Sequence, residues 1–434
     1  MTERQIRRRA ATTVVCVAAT LALAACSGGG FSGNQSPAGA SIGPANPSTG
    51  PANPSTGPAK LTIMIGSSGA AETNSVTAAA DAWAKKSGNT AEVIAANDLT
   101  QQLGQGFAGG TPPDVFYLDS ALLGDYADAG NLYAYGDQVK DQNFLPKLVG
   151  TFTYNGTFYC APKDFSTLGL VINTDMWKAA GLTDADIPTD WAGLETVAKK
   201  LTKGNVVGLV IGTDINRSGA FMKQAGGWLV SADGKTMTAD DPKNLEGLNE
   251  VKKLMSEGVL KFNTDTSPGT GWGGEAFGKG IAAMTIEGNW IKGAMTKDYP
   301  TIKYQVAELP AGPAGKGTLL FDSCWGIAAK STHQSQAVDL VKYLTSVDQL
   351  LAAAKAYGPM PSTLEGLAKF KTEFPQDAAF AAGGEYGQGP VGFPGQKPVM
   401  DAFNAKLATL SQGGDPKTML ANLQKNGEAV LKGN

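Results

Sequence analysis

The sequence predicts an α/β protein of two lobes, and three observations carry that expectation. The chain has 434 residues, 42% hydrophobic and 17% charged, enough for two or three packed domains at about 100–200 residues each. From Lys60 onward, short apolar runs alternate with stretches of helical periodicity, the pattern of a parallel sheet with helices on both faces. Before Lys60 nothing offers a core, so the folded part begins there.

The first segment reads in three parts. Arg4, Arg7, Arg8 and Arg9 form a basic start, and 10–25 is an apolar run of 16 residues. A bilayer-spanning helix needs about 17–25 residues, so this run suits a signal core better than an anchor. It ends in Leu23-Ala24-Ala25-Cys26. That ending resembles the lipobox of bacterial lipoproteins, which implies a signal peptide over 1–25 and a lipid on Cys26. A general secretory signal with an incidental Cys is the other reading. Residues 27–59 hold no charge, and GPANPST at 43–49 recurs at 50–56. Such a tract cannot bury a core and reads as a tether over 26–59, part coil and part polyproline II.

The elements then follow in order. Residues 61–65 (LTIMI) read as a strand, and the next helix sets Val76, Ala79, Ala80 and Trp83 on one face. Strands follow at 91–95 and 114–118. Asn155-Gly156 suits a tight type I′ turn, giving a hairpin over 151–160. Residues 168–172 resume strand, and Asp175 is the expected N-cap of the helix carrying Trp177. Further strands are expected at 206–211, 281–286 and 321–329, with Asp241-Pro242 opening a helix between the first two. The last third is largely helical. In such a fold the ligand belongs at the carboxyl ends of the strands.

Composition excludes several function classes. Without the leader the formal charge is −6, with no basic stripe for nucleic acid. His333 is the only His, in a capping position before a helix, so multi-His metal sites and His-based relays are not expected. Arg217 is the only Arg beyond the leader, which excludes a pocket of several Arg forks for phosphate or carboxylate. No P-loop or dinucleotide fingerprint is present. No catalytic set, cofactor or metal is therefore expected. Paired carboxylates for glycoside hydrolysis remain open, because two acids need only meet in space.

Tryptophan in glycine-flanked segments stands out. Trp83, Trp177 and Trp191 lie on helical faces and are expected in the core. Trp228, Trp272 and Trp325 instead lie beside Gly, and Trp290 lies two residues after Gly288, which leaves a ring face uncrowded. A pyranose stacks its C–H side on such a face while its hydroxyls seek acceptors such as nearby Asp and Asn289. Ordinary packing is the competing reading for any one of them.

These segments also carry a resemblance. GTPPDVF at 110–116 with Asp119, PKDFSTL at 162–168 through NTDM at 173–176, and FGKGIAAM at 277–284 followed by Gly288-Asn289-Trp290 resemble the sugar-binding lipoproteins of ABC importers, solute-binding proteins similar to maltose- and trehalose-binding proteins. The match covers most of 60–330 and weakens after about Gly358. It implies two lobes joined by crossing strands. The first would hold 60–161 with a return over about 327–372, and the second 162–326 with a return over about 373–434. It implies a neutral carbohydrate in the cleft, an importer permease as partner, a monomer tethered to the extracytoplasmic face of the membrane, and no enzymatic step. A receptor that reports sugar to a sensor without transport is the remaining alternative. The residues it carries over are Glu72, Asp98, Asp119, Asp164, Trp290, Asp322 and Trp325. Once Cys16 leaves with the leader and Cys26 takes lipid, Cys160 and Cys324 remain. Neighbouring crossing strands would bring them within reach of a disulfide; two buried, reduced thiols are the alternative.

Overall fold

The structure is a computed structural model and describes residues 57–231 and 234–433. The signal peptide, Cys26 and nearly all of the tether lie outside them.

Alternating burial builds the first lobe. Strand β1 (Lys60–Ile65) buries Leu61, Ile63 and Ile65 while Lys60 stays exposed. It pairs in parallel with β2 (Thr90–Ala95) on one side and β3 (Val115–Asp119) on the other. Parallel neighbours require crossover connections, and the helices Ala70–Ser87 and Leu99–Ala108 supply them. The helix Ala70–Ser87 places Val76, Ala80 and Trp83 in the core and stops at Gly88, whose φ of 74° needs no Cβ penalty. The hairpin β4 (Thr153–Tyr154) and β5 (Thr157–Phe158) turns at Asn155 and Gly156, φ 48° and 79°, as a type I′ turn demands. A helix (Pro146–Thr151) takes the residues just before it.

Strand β6 (Ala161–Asn173) then leaves the first lobe and enters the second. Its second half was legible as a strand, whereas its first half, with Pro162, Lys163 and Asp164, carries no strand-like alternation. Pairing with distant segments makes it one. The second lobe holds β7 (Val207–Ile211), β8 (Leu260–Phe262) and β9 (Ala282–Gly288), with β7 parallel to both of the others and β9 antiparallel to β6. Strand β10 (Tyr304–Ala307) adds to the far side of β6. Gly208 lets the helix Trp191–Leu201 sit directly on β7, since a Cβ there would stand 2.3 Å from the Ala198 carbonyl oxygen. The capping of the helix Thr174–Ala179 differs from expectation. Asn173, not Asp175, is the N-cap, accepting from the amides of Asp175 and Met176.

Strand β11 (Leu320–Ile327) returns to the first lobe, antiparallel to β6 and β3. Its register shifts between Ser323 and Cys324, at the place where Pro162 has no N–H to offer the ladder. A third crossing runs through 358–363. There Met360 exchanges backbone bonds with Phe165 at 2.9 and 3.1 Å, and Ser362 accepts from the Leu145 amide. Among the described residues, nine of the eleven strands form one mixed sheet, and β4 and β5 pair separately. Separate apolar cores fill the lobes, one around Trp83 and Phe116 and the other around Phe221 and Phe262. A third core, around Phe165, Met360, Phe370 and Phe380, packs the helices after the third crossing against β6.

Cys160 and Cys324 are bonded, with Cα atoms 5.7 Å apart. Both side chains are buried in the first lobe's core, so the bridge locks the first-lobe end of the crossing pair.

Candidate ligand-binding site

Strand directions place the site. β1 and β3 run parallel to β6, toward the second lobe, while β7 and β9 run the opposite way. The carboxyl ends of both strand sets therefore face each other, where open α/β sheets bind ligands. A cavity of about 200 Å³ lies there. Ser68, Glu72 and Tyr117 line it from the first lobe, Lys163, Asp164 and Ser323 from the crossing strands, and Trp290 from the second lobe. A second cavity of about 450 Å³ shares Ser68, Glu72, Trp290 and Tyr357 and adds Trp272.

The floor is organised around Lys163. Its Nζ lies 3.5 Å from Glu72 Oε1, bonds Asp164, and sits 4.4 Å from the centre of the Tyr117 ring and 5.8 Å from that of Tyr357. Glu72 also accepts from the amide and hydroxyl of Ser68, at 2.8 and 2.7 Å. Burial pushes the Glu72 carboxyl up, but Lys163 and the Ser68 bonds outweigh it and hold the group below its usual range. Burial would lower the Lys163 ammonium; its anionic and phenolic neighbours instead raise it, so it stays protonated.

The second-lobe wall is built on Trp290. Gly288 leaves room for the indole, since a Cβ there would meet the ring at 2.2 Å. The indole N–H donates to Glu287 Oε2 at 3.1 Å, and the same oxygen accepts from Arg217 at 2.6 Å. The guanidinium lies 5.3 Å from the Trp290 ring centre, and Phe321 meets that ring edge-on at 5.1 Å. Arg217 is thus spent on a fully buried carboxylate and an aromatic face.

The structure brings Glu72, Asp164, Trp290 and Trp272 together around the cavities, sets Asp119 on the same face, and places the remaining candidates outside both cavity linings. Asp119 pairs across the ladder with Ser323, and Ser323 with Asp164, so register sets Asp119 on the cavity face. Its carboxylate caps the Ala121 amide at 2.8 Å. Asp98 lines neither cavity; it is exposed and serves as the N-cap of the helix Leu99–Ala108, accepting from Gln101. Asp322 lines neither cavity: strand alternation points it to the opposite face from Ser323, where it accepts from Ser120 at 2.6 Å. Trp325 is only 4% exposed, packs edge-on against Tyr117, and lines neither of the two cavities. Trp228 packs on the second lobe's core and lines neither cavity. Asn289 is fully buried and donates to the Gly358 carbonyl at 2.5 Å, tying the second lobe to the third crossing.

Sequence reasoning missed Lys163, Tyr117, Tyr357 and the Arg217–Glu287 pair. Tyr117 was within reach, standing two residues before Asp119 on a strand and so on the same face. Tyr357 gave no signal, being delivered by a helix (Val347–Tyr357) far along the chain.

Comparison with known proteins decides the family. Residues 78–382 match the bacterial extracellular solute-binding protein family. The chain belongs to that family. A probable ABC transporter-binding protein of Deinococcus radiodurans is 28% identical over 314 residues, covering 66% of this chain and 72% of its own. Among solved structures, an ABC substrate-binding protein from Listeria monocytogenes in complex with cycloalternan matches with a TM-score of 0.77 at 21% identity, over 87% of this chain and 100% of that one. The GacH receptor of Streptomyces glaucescens, solved unliganded and with acarbose, matches with a TM-score of 0.75 at 23% identity, over 86% and 99%. These likenesses place the solute-binding protein in the two-lobe fold of such receptors. By its family it is an extracellular solute-binding protein.

Proposed function

We propose that this solute-binding protein captures a neutral carbohydrate between its lobes and presents the closed complex to an importer permease. The observation that carries the reading is the shared cavity, where the Trp290 indole and acceptors from Glu72 and Asp164 line one space, and where Lys163 in its floor and Arg217 behind its Trp290 wall are each already paired with carboxylates. Stacking faces with an acceptor rim suit a polyol, and two spent cations do not suit an anion. Sugar-bound relatives of the same fold support it.

The finer parts of the reading follow from the sequence. A signal peptide over 1–25 exports the chain, Cys26 takes lipid, and the tether over 26–59 holds a monomeric receptor off the membrane. The lobes comprise 60–161 and 162–326, with returns over about 327–372 and 373–434, and binding leaves the sugar chemically unchanged. Asp119 joins Glu72, Asp164, Trp290 and Trp272 as a ligand contact, the first four reaching hydroxyls or ring face directly and Trp272 extending the outer wall. A thermal-shift screen of the full-length protein tests the ligand class, since binding raises the melting temperature by mass action. A shift with one sugar, and none with glycerol phosphates, amino acids or polyamines, is expected. A shift with any of those three and with no sugar rejects the reading.

A further inference from the structure

We infer that Lys163 is the resident occupant of a cation cage in the floor of the cleft, and that it thereby sets the preference of the site for uncharged solutes. The inference rests on the reading that this cavity is the ligand site. Its geometry centres on one atom. Around Nζ stand Glu72 at 3.5 Å, the carboxylate of Asp164, the Tyr117 ring at 4.4 Å and the Tyr357 ring at 5.8 Å. Two carboxylates and two aromatic faces converging on a single position form the kind of surrounding that recognises ammonium groups. The cage comes from four separate elements: the helix Ala70–Ser87, β3, β6 and the helix Val347–Tyr357. Its members are shut away from water, with Glu72, Lys163 and Asp164 side chains 6%, 9% and 14% exposed.

The occupant controls what else can enter. A ligand ammonium approaching the cavity meets a positive charge where the cage would hold it. An anionic ligand finds the ammonium protons of Lys163 already directed at Glu72 and Asp164. A neutral hydroxyl group, by contrast, can accept from what remains of the ammonium or donate to the outer lone pairs of the two carboxylates. Removing the ammonium leaves two buried acids uncompensated, a costly arrangement that a small soluble cation would relieve.

The experiment therefore asks whether the vacated cage takes a cation, and it needs no sugar. Full-length wild type and Lys163→Ala are melted in n-propylammonium chloride and in sodium chloride of equal ionic strength, which matches screening. Lys163→Ala should melt below the wild type in sodium chloride and recover in n-propylammonium, with a saturating dependence on concentration, while the wild type responds equally to both salts. Equal responses of variant and wild type to the amine overturn the inference. Should Lys163→Ala not fold in sodium chloride, refolding it in n-propylammonium gives the same reading, and failure to refold there counts against the cage. Lys163→Met adds an independent arm, filling the stem without the charge. Its deficit in melting temperature should be larger at pH 8 than at pH 5, because the lone carboxylates protonate as the pH falls; an equal deficit at both overturns the inference. A negative sugar screen with a positive amine response would leave the cage standing and reject only the carbohydrate reading.

Discussion

Reducing the Cys160–Cys324 bridge should destabilise the protein by an amount that reports how the lobes unfold. The bridge spans 164 residues, and the chain-entropy treatment gives about 5 kcal/mol for a loop of that length when the whole loop unfolds. That loop contains most of the second lobe. If the second lobe stays folded while the first opens, β6 and β11 remain paired at Thr167 and Leu320, and the effective loop shrinks to about a dozen residues. The same treatment then gives only about 3 kcal/mol. The assay is equilibrium urea unfolding of the oxidised protein and of protein unfolded, reduced and refolded in reductant, followed by circular dichroism and tryptophan fluorescence. Reduction after unfolding avoids a mutation, and is needed because both sulfurs are buried. Coincident transitions with a loss near 5 kcal/mol indicate that the lobes unfold together, and separated transitions with a smaller loss indicate lobe-wise unfolding. Superimposable curves for the two forms would refute the reasoning, as would two freely alkylated thiols in the exported protein.

Two further perturbations address the cleft and the crossing strands. Trp290→Ala should weaken binding of the sugar found in the screen by more than tenfold, since losing an aromatic anchor from a desolvated pocket commonly costs about 2 kcal/mol or more. Calorimetric titration of a variant with normal circular dichroism checks it, and unchanged affinity rejects Trp290 as the stacking wall. Asp322→Asn tests pH dependence. Burial raises the Asp322 carboxyl to about 7, with Asp119 and Asp164 pushing the same way and bonds from Ser120 and Thr151 offsetting part. Lys147 faces it with the opposite charge. A carboxyl raised above its unfolded value near 3.9 binds protons more tightly in the native state, so stability falls as pH rises from about 4 to about 7. The variant should lack that descent, and its melting temperature relative to wild type should climb over that window and level off above it. Parallel curves from pH 4 to pH 8 would remove Asp322 as the cause.

What was legible in the chain follows from how far apart the determining residues stand. β1, β2 and β3 announce themselves within five or six residues, β1 by alternating burial and β3 by a continuous apolar run. β8 and β10 pass unnoticed, since three or four residues contain too little alternation to read. The first half of β6 is a strand only because β11 and the segment 358–363 bond to its two edges, and both lie some 160 to 200 residues away. The site shows the same division. Glu72, Asp164 and Trp290 lie in segments whose local pattern resembles other receptors, and they do share a cavity. The crossing strand was harder, because one residue of phase decides which side chain faces the ligand. The acid at 322 drew the eye, yet alternation gives the cavity Ser323 and turns Asp322 to the other face. Composition carried further than position. A single Arg beyond the leader excluded a multi-Arg clamp, and in space that Arg is bound by Glu287 and lies against Trp290. What composition did not reveal was that Lys163 is compensated in the same way, by acids on two different elements. The charge balance around Lys163 and Arg217 therefore depends on pairings made only in three dimensions, with partners that stand on other elements and that no count of residue types could have assigned.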